Sequence, residues 1–283
     1  MRKLKIVGFS LILVYMSLAA LLYTLQEKFI FLPSQLGQDY TYSFDEPFEE
    51  FFLETKDGAK LNALHFRQPD PQGVLLYFHG NAGDLSRWGE IATYFVKKNY
   101  DVIIMDYRTY GKSSGNLSEE HLFSDADLFY EYALKFYNEK DITVYGRSLG
   151  AAIATQLASN RNPKKLLLET PFFNLIDVAR NRFPWLPIRS LLKYRFESNR
   201  YIKNVSCAIS IFHGTEDAVV PYESGRKLFD AIENGQKKFY SIENGDHNDL
   251  IKFSAFHDNM DIELNRTGGR KGSGPRDHKQ WKQ

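Results

Sequence analysis

A single cysteine, Cys207, among 283 residues means that no intrachain disulfide can form and that no C-x-x-C metal site exists. It stands before the apolar run Ala208-Ile209-Ser210-Ile211-Phe212 and reads as a small buried structural residue. Excess charge is absent too: 36 Lys and Arg against 35 Asp and Glu leave a net +1, which gives no reason to expect a nucleic-acid partner. No internal repeat is present. The most informative absence is local, since no charged residue occurs from Ile6 to Leu25.

Those residues, helical at about 1.5 Å each, would span roughly 30 Å, the thickness of a bilayer's hydrocarbon core. The flanking Met1-Arg2-Lys3-Leu4-Lys5 is basic and stays on the inner side, so the remainder of the chain is expected on the extracytoplasmic side. A secretory signal peptide is the competing reading, with Ser17-Leu18-Ala19 as its cleavage site and a secreted product. The apolar stretch runs on through Leu21, Leu22, Tyr23 and Leu25, however, which favours an uncleaved anchor over residues 1–25.

A hydrophobic content of 43% with 15% aromatics is enough for a sizeable core, and the length suits one large α/β domain with appendages or at most two small domains. Residues 26–47 read as a connector whose Phe29-Ile30-Phe31-Leu32-Pro33 is too apolar for solvent and lies on the domain or in the membrane interface. Residues 48–55 and 61–66, separated by Lys56-Asp57-Gly58, predict a β-hairpin. Short apolar runs at 74–78, 102–105, 142–145, 165–168 and 208–212 suit strands buried on both faces, and a last strand is expected at 238–242. Helix-compatible segments lie between them at 85–98, 119–138, 149–159 and 222–233, and 248–256 closes the series. Strands alternating with helices predict a doubly wound, mostly parallel α/β sheet over 48–260.

Residues 172–204 interrupt this alternation. They carry Arg180, Arg182, Arg189, Lys193, Arg195, Arg200 and Lys203 among Phe183, Pro184, Trp185, Leu186 and Pro187. Two readings stand: a cap that shapes a substrate site and leans on membrane or an anionic substrate, or an ordinary excursion with a solvated basic face. Residues 261–283 are expected to be a disordered tail, because from Thr267 onward Gly, Lys and Arg dominate and apolar content is nearly nil.

Gly146-Arg147-Ser148-Leu149-Gly150 closes one predicted strand and opens an Ala-rich helix, the context of a nucleophile elbow. The turn lifts the Ser148 hydroxyl clear of the sheet and aims a helix N-terminus at the reacting oxygen. A serine hydroxyl is a poor nucleophile alone and needs a base, which in turn needs an orienting acid. On such a scaffold the chain order is serine, acid, histidine. Asp217, in His213-Gly214-Thr215-Glu216-Asp217-Ala218-Val219-Val220-Pro221, follows a predicted strand; its other role would be to cap the helix near Pro221, and Glu216 is the second candidate acid. Of seven histidines only His247, in Gly245-Asp246-His247-Asn248-Asp249, combines the required order with a strand end and a glycine turn. His79-Gly80-Asn81-Ala82-Gly83 follows the first parallel strand, so the backbone N–H groups of Asn81 and Leu149 are candidate oxyanion donors; a plain strand–helix turn is the alternative.

These motifs, together with Met105-Asp106-Tyr107-Arg108-Thr109-Tyr110-Gly111-Lys112-Ser113, resemble the α/β-hydrolase superfamily, specifically its Bem46-like, membrane-anchored members, over about residues 48–256. The resemblance implies an α/β-hydrolase fold with a leading hairpin and a short cap, preceded by one transmembrane helix. It implies structural roles for Asp106 and Arg108, and for Tyr107 a place at the pocket; Trp185 of the cap is the second candidate substrate contact. Similar proteins read Arg-Gly-Tyr-Gly where this chain has Arg108-Thr109-Tyr110-Gly111. If that position needs positive φ, a β-branched Thr is strained there.

The function expected from these readings is two-step acyl transfer by Ser148, His247 and Asp217 on an acyl ester or thioester, with no metal or other cofactor required. The partner is then an acylated small molecule or lipid. A serine peptidase of aminopeptidase type would need a carboxylate for the substrate amine, and none is identifiable in the sequence. A non-catalytic membrane-tethered binding protein would need neither Ser148 nor His247.

Overall fold

The computed structural model describes residues 2–233 and 235–265. In chain order the helix α1 (Arg2–Ile30) leads into a two-residue strand β1 (Leu32–Pro33), then β2 (Phe48–Glu54), β3 (Lys60–Phe66), β4 (Val74–Phe78), a short β5 (Ala82–Gly83), α2 (Leu85–Val96) and β6 (Asp101–Met105). The second half runs α3 (Glu119–Leu134), β7 (Ile142–Arg147), α4 (Leu149–Asn160), β8 (Lys165–Glu169), α5 (Leu175–Arg182), α6 (Ile188–Leu191), α7 (Ser198–Tyr201), β9 (Ala208–Gly214), α8 (Tyr222–Asp230), β10 (Lys237–Ile242) and α9 (Ser254–Asn265).

Eight strands form one sheet in the order β10-β9-β8-β7-β4-β6-β3-β2. From β10 to β6 every pairing is parallel, and the β2–β3 hairpin joins antiparallel at one edge. The apolar runs are continuous because the sheet is covered on both faces. Along β4, Val74, Leu76 and Phe78 enter one core with residues of α3, α4 and α8, while Leu75 and Tyr77 enter the other with residues of α2 and α9. The loops that carry Asn81, Tyr107, Ser148, Asp217 and His247 each leave the C-terminal end of a strand, the edge at which open α/β sheets hold ligands.

The largest differences from the sequence reading lie at the two ends of the chain. The first helix continues to Ile30, so the start of the 26–47 connector is helical. The closing helix, expected at 248–256, begins at Ser254 and reaches Asn265, and a 3-10 turn at Leu250–Lys252 precedes it. Residues 261–265 are therefore helix and not tail: Phe256, Met260 and Leu264 recur every fourth position and bury one face against the sheet. The rest of the expected tail, 266–283, lies outside the described residues. Cys207 is buried, and its thiol is pushed up to about 12 chiefly by that burial.

Among the described residues, one helix is long and apolar enough to cross a membrane by length and composition: Lys5–Ile30. Its side chains from Ile6 to Met16 are exposed, except for the small Gly8.

Candidate active site

Ser148 sits in the turn between β7 and α4 with φ 52° and ψ −114°, a left-handed backbone that side chains rarely adopt. Its N–H donates to Glu169 O at 2.9 Å, which ties the strained turn to the neighbouring strand. The flanking residues must be glycine. A Cβ on Gly150 would lie 2.0 Å from Phe78 O, and one on Gly146 would lie 2.4 Å from Gly150 O. Helix and strand thus pack backbone to backbone, and the hydroxyl is left at the head of α4.

His247 lies on the loop after β10 and reaches Ser148: Nε2 is 2.9 Å from Oγ. Its Nδ1 is 2.8 Å from Asp217 Oδ2 on the loop after β9. With the carboxylate as acceptor, Nδ1 carries the proton and Nε2 presents its lone pair to the hydroxyl. Asp217 Oδ1 accepts from the N–H groups of Val219 at 2.9 Å and Val220 at 2.7 Å. Burial alone would push the Asp217 carboxyl up, but the hydrogen bonds from His213, His247 and Val220 outweigh it and hold it well below the usual carboxylate range. Glu216, the other candidate acid, is exposed, and its N–H donates to Gly245 O at 3.0 Å. Arg147 anchors the histidine loop from the elbow, donating to His247 O at 3.2 Å and pairing with Glu169 at 3.2 Å.

Asn81 and Leu149 both border the space in front of Ser148. The Asn81 carbonyl is turned away by two donors, Leu32 N–H at 3.0 Å and Tyr110 O–H at 2.7 Å. Behind it, Tyr107 O–H donates to His79 O at 2.7 Å. His79 is sandwiched between Trp88, stacked at 5.4 Å, and Tyr107 at 4.2 Å. This corrects the expectation for Tyr107: it is fully buried and does not line the pocket, because its ring fills the space beneath the Asn81 loop. Asp106 and Arg108, for which the resemblance implies structural roles, are both buried, with Arg108 bonding Asp125 at 2.8 Å and Asp57 at 2.9 Å. Thr109 holds φ 72°, so the loop keeps the left-handed conformation despite the β-branched side chain.

A cavity of about 680 Å³ opens from Ser148 and is bordered by residues between 172 and 192. Apart from Gln26, Asn81, Ser148 and Arg182 its lining side chains are apolar. Trp185 is not among them: it is 59% exposed and packs edge-to-face on Phe183, because α5 ends at Arg182 and the following turn directs the indole outward. Phe183 and Leu186 take the inward positions instead. Two contributions escape the sequence reading. His213 Nε2 lies 3.3 Å from Asp217 Oδ2, and α1 supplies Leu22, Gln26, Phe29 and Ile30 to the cavity wall. The apolar Phe29-Ile30 pair was the one visible signal for the second.

Known proteins similar to this chain include both sequence relatives and solved structures. A family model described as serine aminopeptidase, S33, matches residues 69–200. An uncharacterized protein of Mycobacterium tuberculosis is 33% identical over 210 residues, covering 72% of this chain and 74% of its own. The lysophosphatidylserine lipase ABHD12 of Danio rerio is 28% identical over 239 residues, and this chain spans 60% of its length. Among solved structures, the Pyrococcus furiosus esterase Pf2001 superposes with a TM-score of 0.64 at 18% identity, over 82% of this chain and 97% of that one.

Proposed function

The chain belongs to the α/β-hydrolase superfamily, and from that premise we propose that it is a membrane-anchored serine hydrolase that cleaves an acyl ester or thioester through an acyl-enzyme intermediate. The observation that carries this reading is His247, whose two ring nitrogens lie within 2.9 Å of Ser148 and Asp217. Ser148 Oγ attacks the acyl carbon while Nε2 of His247 takes its proton, and Asp217 stabilises the imidazolium. The oxyanion is held by the N–H groups of Asn81 and Leu149, each donor contributing about 3–4 kcal/mol in the transition state. His247 returns the proton to the leaving alkoxide or thiolate. Water, deprotonated by the same nitrogen, then releases the acid and restores Ser148.

The apolar lining favours an acyl chain over a peptide, and the lipase name of the Danio rerio relative points the same way. An aminopeptidase would need a carboxylate for the substrate amine, and no Asp or Glu is among the described residues that line the cavity. The span Lys5–Ile30 supports a single-pass anchor, and the basic residues before it favour a domain on the extracytoplasmic side.

Fluorophosphonate labelling of the detergent-solubilised protein tests the reading. Labelling of wild type that disappears in Ser148→Ala and His247→Ala is the expected result. A folded wild type that stays unlabelled would sink it and leave a tethered binding protein.

A further inference from the structure

We propose that the last two and a half turns of α1 are not only an anchor but one wall of an acyl-chain site, so that one hydrocarbon chain of a lipid ester lies between α1 and α5 and enters from the bilayer. The proposal rests on the hydrolase reading of Ser148 and deepens it. Leu22, Gln26, Phe29 and Ile30 all border the cavity that reaches Ser148. They are spaced i, i+4, i+7 and i+8, which places them on one face of the helix. Val178 and Ala179 of α5 stand among the other lining residues, and the volume of about 680 Å³ is that of a site for one small ligand.

The helix is held in that register by polar bonds, which apolar contact alone would not fix. Gln26 is buried; its Nε2 donates to Leu191 O at 3.1 Å, and its Oε1 accepts from Lys193 N–H at 2.8 Å. Tyr194 O–H donates to Glu27 at 3.1 Å. The Asn81 side chain donates to Ile30 O at 3.0 Å, so the residue proposed to hold the oxyanion also caps the end of α1. β1 then continues into parallel pairing with β5.

Length places the wall at the membrane surface. The 26 residues of the span make about 39 Å of helix at about 1.5 Å per residue, against about 30 Å of hydrocarbon. Leu22 thus lies at the edge of the hydrocarbon and Gln26 to Ile30 among the headgroups. Phe29, 65% exposed, stands where cavity and lipid meet. A chain drawn along this face never has to cross water.

The test uses the full-length protein in phosphatidylcholine vesicles. A trace of lysophosphatidylcholine carrying a diazirine at its acyl terminus is photolysed with the Ser148→Ala protein, and adducts are mapped by peptide mass. Adducts in both 22–30 and 175–192 are expected; adducts confined to the lipid-facing 7–18 would overturn the proposal. In parallel, kcat/KM for p-nitrophenyl dodecanoate is divided by that for the butanoate. Leu22→Trp is expected to lower this ratio at least tenfold. Leu13→Trp, nine residues away on the opposite, exposed face, is expected to leave it unchanged. An active enzyme whose ratio ignores Leu22→Trp refutes the α1 wall while the hydrolase reading stands. Correct adducts on a protein that cleaves neither ester refute the hydrolase reading and keep the acyl site.

Discussion

His213 Nε2 lies 3.3 Å from Asp217 Oδ2, the same oxygen that accepts from His247. The same nitrogen is 3.0 Å from Val220 O, so it must carry the proton and donate. Gly225 packs against the opposite nitrogen: a Cβ there would lie 2.2 Å from His213 Nδ1. His213 is thus held with its donor facing Asp217, as a positioning residue. A hydrogen bond to a charged group contributes about 1.5–3 kcal/mol. His213→Ala is expected to lower kcat for ester hydrolysis about 10–100-fold with KM little changed. His213→Gln, which keeps a donor near the position of Nε2, should recover much of the loss. Wild-type kcat in His213→Ala would show that Asp217 needs no second histidine.

Asp217 itself has a larger expected effect. Asn in its place presents an amide or a neutral oxygen to His247 Nδ1 and no longer favours the tautomer with Nε2 free for Ser148. The expected loss in kcat is about 10³–10⁴-fold, with slow fluorophosphonate labelling retained. Glu216→Gln, altering an exposed side chain, should leave kcat within about twofold of wild type. The reverse ranking of the two variants would reassign the acid.

Thr109 at φ 72° is a local cost carried by this chain. A left-handed backbone costs a side-chain-bearing residue about 1–2 kcal/mol, while glycine loses about 0.5–1 kcal/mol through unfolded-state entropy. Thr109→Gly should therefore stabilise the protein by about 0.5–1 kcal/mol, read as a higher urea midpoint. A lower midpoint would mean that contacts of the Thr side chain outweigh the strain.

Much of this architecture is legible in the sequence because its signals are local. The all-buried strands read as unbroken apolar runs, and the G-x-S-x-G turn shows its glycines within five residues, although the contact that requires Gly150 is with Phe78 on β4. The order Ser148, Asp217, His247 could be read as soon as each fell at a strand end. What stayed hidden depends on which way a face points. In an apolar helix nothing distinguishes Leu22, which borders the cavity, from Leu21, which does not. Trp185 and Phe183 sit in a proline-flanked turn with no period to assign inside from outside. The resemblance to the family implies a place at the pocket for Tyr107, yet its hydroxyl donates to the His79 carbonyl. The reach of α9 was the opposite case: its stripe of Phe256, Met260 and Leu264 is present, but the polar composition that follows masks it.

Glu263 couples that helix to the sheet and makes its docking sensitive to acid. Its carboxylate accepts from Lys165 Nζ at 2.6 Å, Lys238 Nζ at 2.8 Å and Tyr240 O–H at 2.6 Å. Burial alone would raise its pKa; these donors outweigh burial and lower it from 4.5 to about 2. A carboxylate depressed in the folded state contributes stability that is complete above its unfolded pKa and lost as pH falls through its folded one. The contribution of Glu263 is therefore full at pH 7, declines below about pH 4.5 and is nearly gone at about pH 2. The thermal midpoint of wild type should exceed that of Glu263→Gln by a constant margin from pH 7 to about pH 5.5, and the margin should shrink steadily below about pH 4.5. A margin that stays constant down to about pH 3 would mean that the glutamate acts by packing and not by charge.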